Sequence, residues 1–158
     1  AKGLGSMAFV AFVIGLAKVI SLVLADGNVI HTIVYVLTKP LMSLPKSVSS
    51  VGLTLIVSVI NPLIPSATSK AAILVPIMKP VAEALGLHLN LAVVAYQMGD
   101  SFTNLLSPLL GWMIGSCIMA EVPFPRWFKW VFPKVITLIL LACVIVFLLT
   151  VTGWTGVI

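Results

Sequence analysis

Two apolar runs of about 21 residues, Leu4–Leu24 and Val131–Val151, can each cross a hydrocarbon core of roughly 30 Å as a helix. Inside hydrocarbon every backbone N–H and C=O has to find its partner within the protein, so such runs are helical. The residues between them leave no soluble alternative. Of the 158 residues 61% are hydrophobic and 8% charged, with mean hydropathy +1.24, whereas a soluble domain carries about a quarter charged residues. The expected class is an all-α integral membrane protein, multi-pass in the plasma (inner) membrane. The net charge of +5 comes from scattered Lys and Arg that border apolar runs. That placement fits membrane orientation by the positive-inside rule and excludes a nucleic-acid surface. Lys2 and the group Arg126, Lys129 and Lys134 fall on one side, read as cytoplasmic; Lys39 and Lys46 fall on the other.

The order of runs divides the chain into three parts. Residues 1–46 hold the first span, closed by Asp26-Gly27-Asn28, and a shorter segment, Val29–Leu44. His31, Thr32, Thr38 and Lys39 break the apolar character of that segment, and Pro40 and Pro45 limit its helix, so it reads as an interfacial helix. Residues 47–120 hold two interrupted elements. Val48–Ile60 is apolar but too short to cross. It ends in Asn61-Pro62-Leu63-Ile64-Pro65-Ser66-Ala67-Thr68-Ser69-Lys70 before a second short apolar stretch, Ala71–Leu85, with Pro76 and Pro80. Two half-length helices meeting at a polar turn predict a re-entrant hairpin over 47–86, which needs protein or a water-filled cavity around its tip. Leu89–Met98 then begins a span that Gly99-Asp100-Ser101-Phe102-Thr103-Asn104 interrupts before Leu105–Ala120 completes it. This predicts a discontinuous helix over 89–120 with an unwound polar centre. Residues 121–158 give a loop, an interfacial anchor of Arg126, Trp127, Lys129 and Trp130, and the last span.

Asp100 is the strongest chemical signal. A carboxylate at mid-membrane costs at least about 2.5–3.5 kcal/mol, and residues of this kind meet a cation, a proton or a substrate. It could also cap the amides of a following half-helix. Ser101, Thr103 and Asn104 beside it, with Asn61, offer the hard oxygen donors that suit a small cation such as Na⁺; a proton is the other candidate coupling ion. Ser66, Thr68 and Ser69 supply the same donors at the tip, where a lone Ser or Thr would merely bond back to its own backbone. Half-helix N-termini attract anions, and Lys70 adds a full positive charge there. Lys70, Ser66, Thr68, Ser69 and Asn104 are therefore the candidate substrate residues, and Asp100, Ser101, Thr103 and Asn61 the candidate coupling-ion residues. Lys70 has two other readings, snorkelling to the interface or pairing with Asp100.

Other features carry less. Cys117 and Cys143 lie in apolar runs, and His31 and His88 have no partners at ligand spacing, so neither a disulfide nor a metal site beyond Na⁺ is expected. Gly111 and Gly115 form a GxxxG suited to helix packing. An intramembrane aspartyl protease would need a second carboxylate facing Asp100, and Asp26, Glu83 and Glu121 sit near helix ends. No enzyme and no organic cofactor is expected.

The segment Asn61–Pro80, with the tip Pro65-Ser66-Ala67-Thr68-Ser69-Lys70-Ala71-Ala72, resembles the second hairpin of the ion transporter superfamily. Ala95-Tyr96-Gln97-Met98-Gly99-Asp100-Ser101-Phe102-Thr103-Asn104 resembles the motif at that fold's second broken helix. With Leu24-Ala25-Asp26-Gly27 and Val122-Pro123-Phe124-Pro125-Arg126-Trp127-Phe128, the chain is most similar to YfcC-type carriers of the anaerobic C4-dicarboxylate carrier group. At the tip, Ala67 and Ser69 stand where that group usually has glycines and Lys70 where it has a glutamine, and here the chain looks more like the AbgT transporters of acyl-glutamates. The resemblance implies one inverted repeat of an elevator-type secondary transporter, the C-terminal half, with an N-terminal half as partner and a possible homodimer. It further implies a small carboxylate-bearing solute such as an amino acid, a dicarboxylate or an acyl-glutamate. A non-transporting membrane subunit or a degenerate half-transporter is the alternative.

Overall fold

The structure, a computed structural model, describes residues 29–64 and 67–156, and before them 8, 11, 12, 15, 16, 19, 22, 23, 26 and 27. For residues 30, 31, 33, 34, 37, 67–69, 72, 73 and 77 it describes the backbone alone. The first expected span therefore lies largely outside the described residues. Among the described residues the chain is helical and contains no strand. Helix α1 (Val29–Thr38) runs into a 3-10 turn at Lys39–Ser43 that begins with Pro40 in its first positions. Helix α2 (Lys46–Ile60) is followed by a 3-10 turn at Asn61–Leu63, and α3 (Ala67–Ala84) contains Pro76 and Pro80. Helix α4 (Leu89–Thr103) ends in a 3-10 turn at Asn104–Leu106 and is succeeded by α5 (Gly111–Met119) and α6 (Phe124–Val151).

Among the described residues, three stretches are long and apolar enough to cross a membrane: Lys46–Leu63, Leu89–Met119 and Phe124–Val151. The first corrects the expectation that Val48–Ile60 is too short. The helix starts at Lys46, and the 3-10 turn at its end brings the apolar stretch to 18 residues.

Small residues hold these helices together. The inward face of α2 is Ser49, Ser50, Leu53, Thr54, Val57 and Ser58, and that of α4 is Leu91, Ala92, Ala95, Gly99, Asp100 and Thr103. Both sets repeat every three to four residues, one face of a helix. With lipid outside, water expulsion does not drive helix association, so close packing and interhelical hydrogen bonds have to. Gly99 shows how close the packing is: a Cβ there would lie 2.5 Å from Thr54 O and 2.9 Å from Val57 Cβ. From Leu140 on, the outward face of α6 is apolar. On α6, Val135, Ala142 and Val146 are buried, while Leu140, Val144, Leu148 and Val151 are exposed.

Hydrogen bonds fix the directions. Ser50 and Thr150 join their hydroxyls at 2.7 Å, and Asn90 Nδ2 donates to Thr155 O at 2.7 Å. The starts of α2 and α4 thus meet the end of α6. At the opposite end, the Trp127 indole donates to Leu105 O at 3.1 Å. So α2 and α4 run parallel and α6 antiparallel to both.

The two arms of the 46–86 segment begin and end together. Lys46 Nζ donates to Gly86 O at 3.2 Å. Gly86 has φ +62°, and the bonds Gly86 N to Glu83 O and Leu87 N to Ala82 O form the paired closure that ends a helix on a left-handed glycine. Their far ends meet through Asn61 and Lys70. Between these points the arms take different neighbours: α2 packs on α4 and α6, and α3 on α1 and α4.

Candidate functional site

Where the far ends of the 46–86 arms reach the end of α4, five of the candidate residues come together. Asn61, at the first position after α2, is 1% exposed. Its amide nitrogen donates to Asp100 O at 2.7 Å, to Thr103 Oγ1 at 2.6 Å and to Asn104 Oδ1 at 2.9 Å. Its amide oxygen accepts from the Lys70 ammonium, which also pairs with Asp100 Oδ1. Lys70 lies in the first turn of α3 and is also 1% exposed; Asp100 is 9% and Thr103 3% exposed. Thr103 Oγ1 donates to Gly99 O at 3.0 Å, and Ser58 Oγ donates to the same carbonyl at 3.2 Å. Among the described residues no buried side-chain polar atom is left without a partner, which is what a low-dielectric interior demands.

Of the three readings of Lys70, the structure has the pair with Asp100. The charges of the two side chains offset each other, and Asn61 fixes the geometry because its nitrogen is held by α4 while its oxygen faces the ammonium. Asn104 joins the same cluster through Oδ1.

Ser101 does not join it. Its hydroxyl donates to Gln97 O at 2.6 Å on an exposed face of α4. That bond also bears on the expected unwinding. The α-helix runs unbroken through Gly99–Thr103, and the non-helical segment comes later, at Ser107–Leu110. Ser101 and Thr103 each return a hydroxyl to the carbonyl four residues back, a local bond compatible with a helix. Pro108 drives Ser107 into extended backbone (φ −83°, ψ 118°). The hairpin tip is corrected in the same way: Ala67–Lys70 form the first turn of α3 rather than part of a polar turn. Ser66 lies outside the described residues. Thr68 and Ser69 are placed by their backbone, in the same helical turn as Lys70.

The residues that sequence reasoning missed are structural supports of the cluster. Ser58 ties α2 to the Gly99 carbonyl, and Gly99 permits the approach that brings Asn61 to Asp100. A glycine directly before the intramembrane aspartate was the available signal. Grooves lie away from the cluster: one of about 320 Å³ between α3 and α4 is walled by Val75, Met78, Lys79, Val93, Tyr96 and Gln97 among others, and one of about 410 Å³ lies beside Tyr35, Met42 and Pro80.

The site is thus a buried, charge-paired junction between three helices of a membrane protein, and comparison with known proteins agrees with a carrier. Over residues 1–151 the chain matches the family model described as C4-dicarboxylate anaerobic carrier, DcuC. A Haemophilus influenzae protein carrying the name "Uncharacterized protein" is 29% identical over 144 residues, covering 91% of this chain and 28% of that protein. The Escherichia coli K12 protein named "Putative basic amino acid antiporter YfcC" is 26% identical over 133 residues, covering 81% of this chain and 26% of its own length. The chain therefore spans between a quarter and a third of the length of these relatives. No solved structure matches it. The chain belongs to the C4-dicarboxylate anaerobic carrier family.

Proposed function

We propose that this chain belongs to the C-terminal half of an ion-coupled secondary transporter for a small carboxylate-bearing solute. The observation that carries the reading is the buried Asn61–Lys70–Asp100 cluster at the meeting of two helix ends with α4, in a chain of a carrier family. A paired charge in the interior is costly to build and gives little net stability; in membrane proteins such pairs mark ion and substrate pathways. In this reading 47–86 is a re-entrant hairpin, entering and leaving where Lys46 meets Gly86, and it forms the mobile unit of an elevator together with the 89–120 element. Residues 1–46 belong to the scaffold, and 121–158 supply the interfacial anchor of Arg126, Trp127, Lys129 and Trp130 and the last span.

Asp100, Asn61 and Thr103 hold the coupling ion, Na⁺ or a proton, and Ser101 lines its approach. Ser66, Thr68, Ser69, Lys70 and Asn104 are assigned to the solute, whose carboxylate is drawn to the first turn of α3. An N-terminal half completes the site, the assembly sits in the inner membrane, and two copies form a homodimer. The solute class follows the family description, C4-dicarboxylates, with basic amino acids as the class named for the E. coli relative. Where an aspartyl protease would set a second carboxylate, Asp100 faces the Lys70 ammonium, which favours transport over catalysis.

The test is thermal unfolding of the chain assembled with its N-terminal half, against C4-dicarboxylates, basic amino acids and acyl-glutamates, with and without Na⁺. Stabilisation by one class that needs both halves and weakens in Asp100→Asn supports the reading. A folded assembly that responds to no solute points instead to a non-transporting subunit.

A further inference from the structure

We propose that the Lys70 ammonium and the coupling cation are alternative occupants of one position, between Asp100 Oδ1 and Asn61 Oδ1. The inference rests on the transport reading above and gives it a sequence of events. Both oxygens converge on Lys70 Nζ, and a carboxylate with an amide oxygen is the hard donor set that a small monovalent cation takes. Neither oxygen can easily be turned to serve elsewhere. The nitrogen of Asn61 is committed to Asp100 O, Thr103 Oγ1 and Asn104 Oδ1, which aims its oxygen at the ammonium. Asp100 is carried by an unbroken helical turn whose Gly99 carbonyl is bound by Ser58 and Thr103. Lys70 and Asn61 are each 1% exposed, so the position holds one cation and excludes a second, which would meet an uncompensated like charge in a low dielectric.

A cation that enters must therefore displace the ammonium. Lys70 sits in the first turn of α3, where backbone N–H groups already favour an anion. Once displaced, its charge is free to meet a solute carboxylate there. Cation and solute then bind with positive coupling, each favouring the state in which Lys70 has left Asp100.

The experiment titrates NaCl against choline chloride at constant ionic strength and follows thermal unfolding of the assembled carrier. The parent, Lys70→Ala, Asp100→Asn and the double variant are compared. With the competitor removed, Lys70→Ala should reach half-maximal stabilisation at about tenfold lower Na⁺ than the parent, equivalent to roughly 1.4 kcal/mol of competition. Both variants lacking Asp100 should show no Na⁺-specific shift. A Lys70→Ala carrier that folds only in Na⁺ supports the proposal more strongly still. Equal half-saturation in parent and Lys70→Ala overturns it, as does a Lys70→Ala carrier that ignores Na⁺ or stays unfolded in both salts, because Na⁺ then cannot stand where the ammonium stood. Solute counterflow by the parent is scored separately. Counterflow without the Na⁺ difference leaves transport standing and removes the competition, and the Na⁺ difference without counterflow supports the shared cation position while removing the transport reading.

Discussion

Asn61 is the residue on which the site turns. One side chain bridges the end of α2, the first turn of α3 and the last turn of α4, so its loss leaves the Lys70 ammonium with Asp100 as its remaining partner and removes the amide donor shared by Asp100 O, Thr103 and Asn104. Removing one member of a buried charge pair typically costs about 3–5 kcal/mol, whereas removing both at matched volume is often neutral. Asp100→Leu and Lys70→Met should each lower the unfolding temperature well below that of the parent. The Lys70→Met/Asp100→Leu double variant should recover most of the loss. Additive losses in that cycle would mean that the two side chains are not coupled. Asp100 was legible in the sequence because it is a carboxylate inside an apolar run, and Asn61 because it is the polar residue that closes one. Their partnership was not legible: they are separated by 39 positions, and only the register of α2 on α4 joins them.

That register belongs to the element scale, and glycine sets it. Gly99→Leu adds a side chain where Thr54 O and Val57 already stand. It should cost about 1–3 kcal/mol as overpacking and, by parting α2 from α4, impair transport more than stability. A transport rate that falls only in proportion to the folded fraction would contradict this. The Ser50–Thr150 contact gives a second test of the same packing. With Cys117 and Cys143 replaced, a Ser50→Cys/Thr150→Cys pair should oxidise to a disulfide linking α2 to α6, read by a mobility shift reversed by reductant. The helices themselves were largely visible as apolar runs between Pro45, Asn61, Gly86 and Pro123. Their breaks were less so. A cluster of polar residues at 99–104 reads as an unwound centre, yet Ser101 and Thr103 satisfy their hydroxyls within the helix, and the break waits for Pro108. Here polarity marks where the buried site sits, and Pro108 marks where the backbone turns, whereas Pro76 and Pro80 lie within α3.

Across the whole molecule, ends and sides matter. Lys46 and Gly86 lie together, while Arg126 stands near the start of α6, at the end where Trp127 meets Leu105. Single cysteines at positions 46 and 86 should react with a membrane-impermeant maleimide from one side of the bilayer, and a cysteine at 126 from the other. Labelling of a cysteine at position 63, next to the tip, from the side that reaches 126 would replace the re-entrant hairpin with two full crossings. The composition announced the membrane, and the scattered basic residues predict an orientation. The joining of α2, α4 and α6 into one packed unit depended on contacts of small residues that hydropathy does not register.

The most direct measurement is counterflow of labelled solute into proteoliposomes holding the assembled carrier, with C4-dicarboxylates and basic amino acids tested in parallel, for the parent and for Asp100→Asn. Uptake driven by an internal pool of the same solute, present in the parent and lost in a folded Asp100→Asn, is the predicted result. Correctly folded parent carrier that exchanges none of these solutes, or an Asp100→Asn carrier that exchanges them as fast, would contradict it.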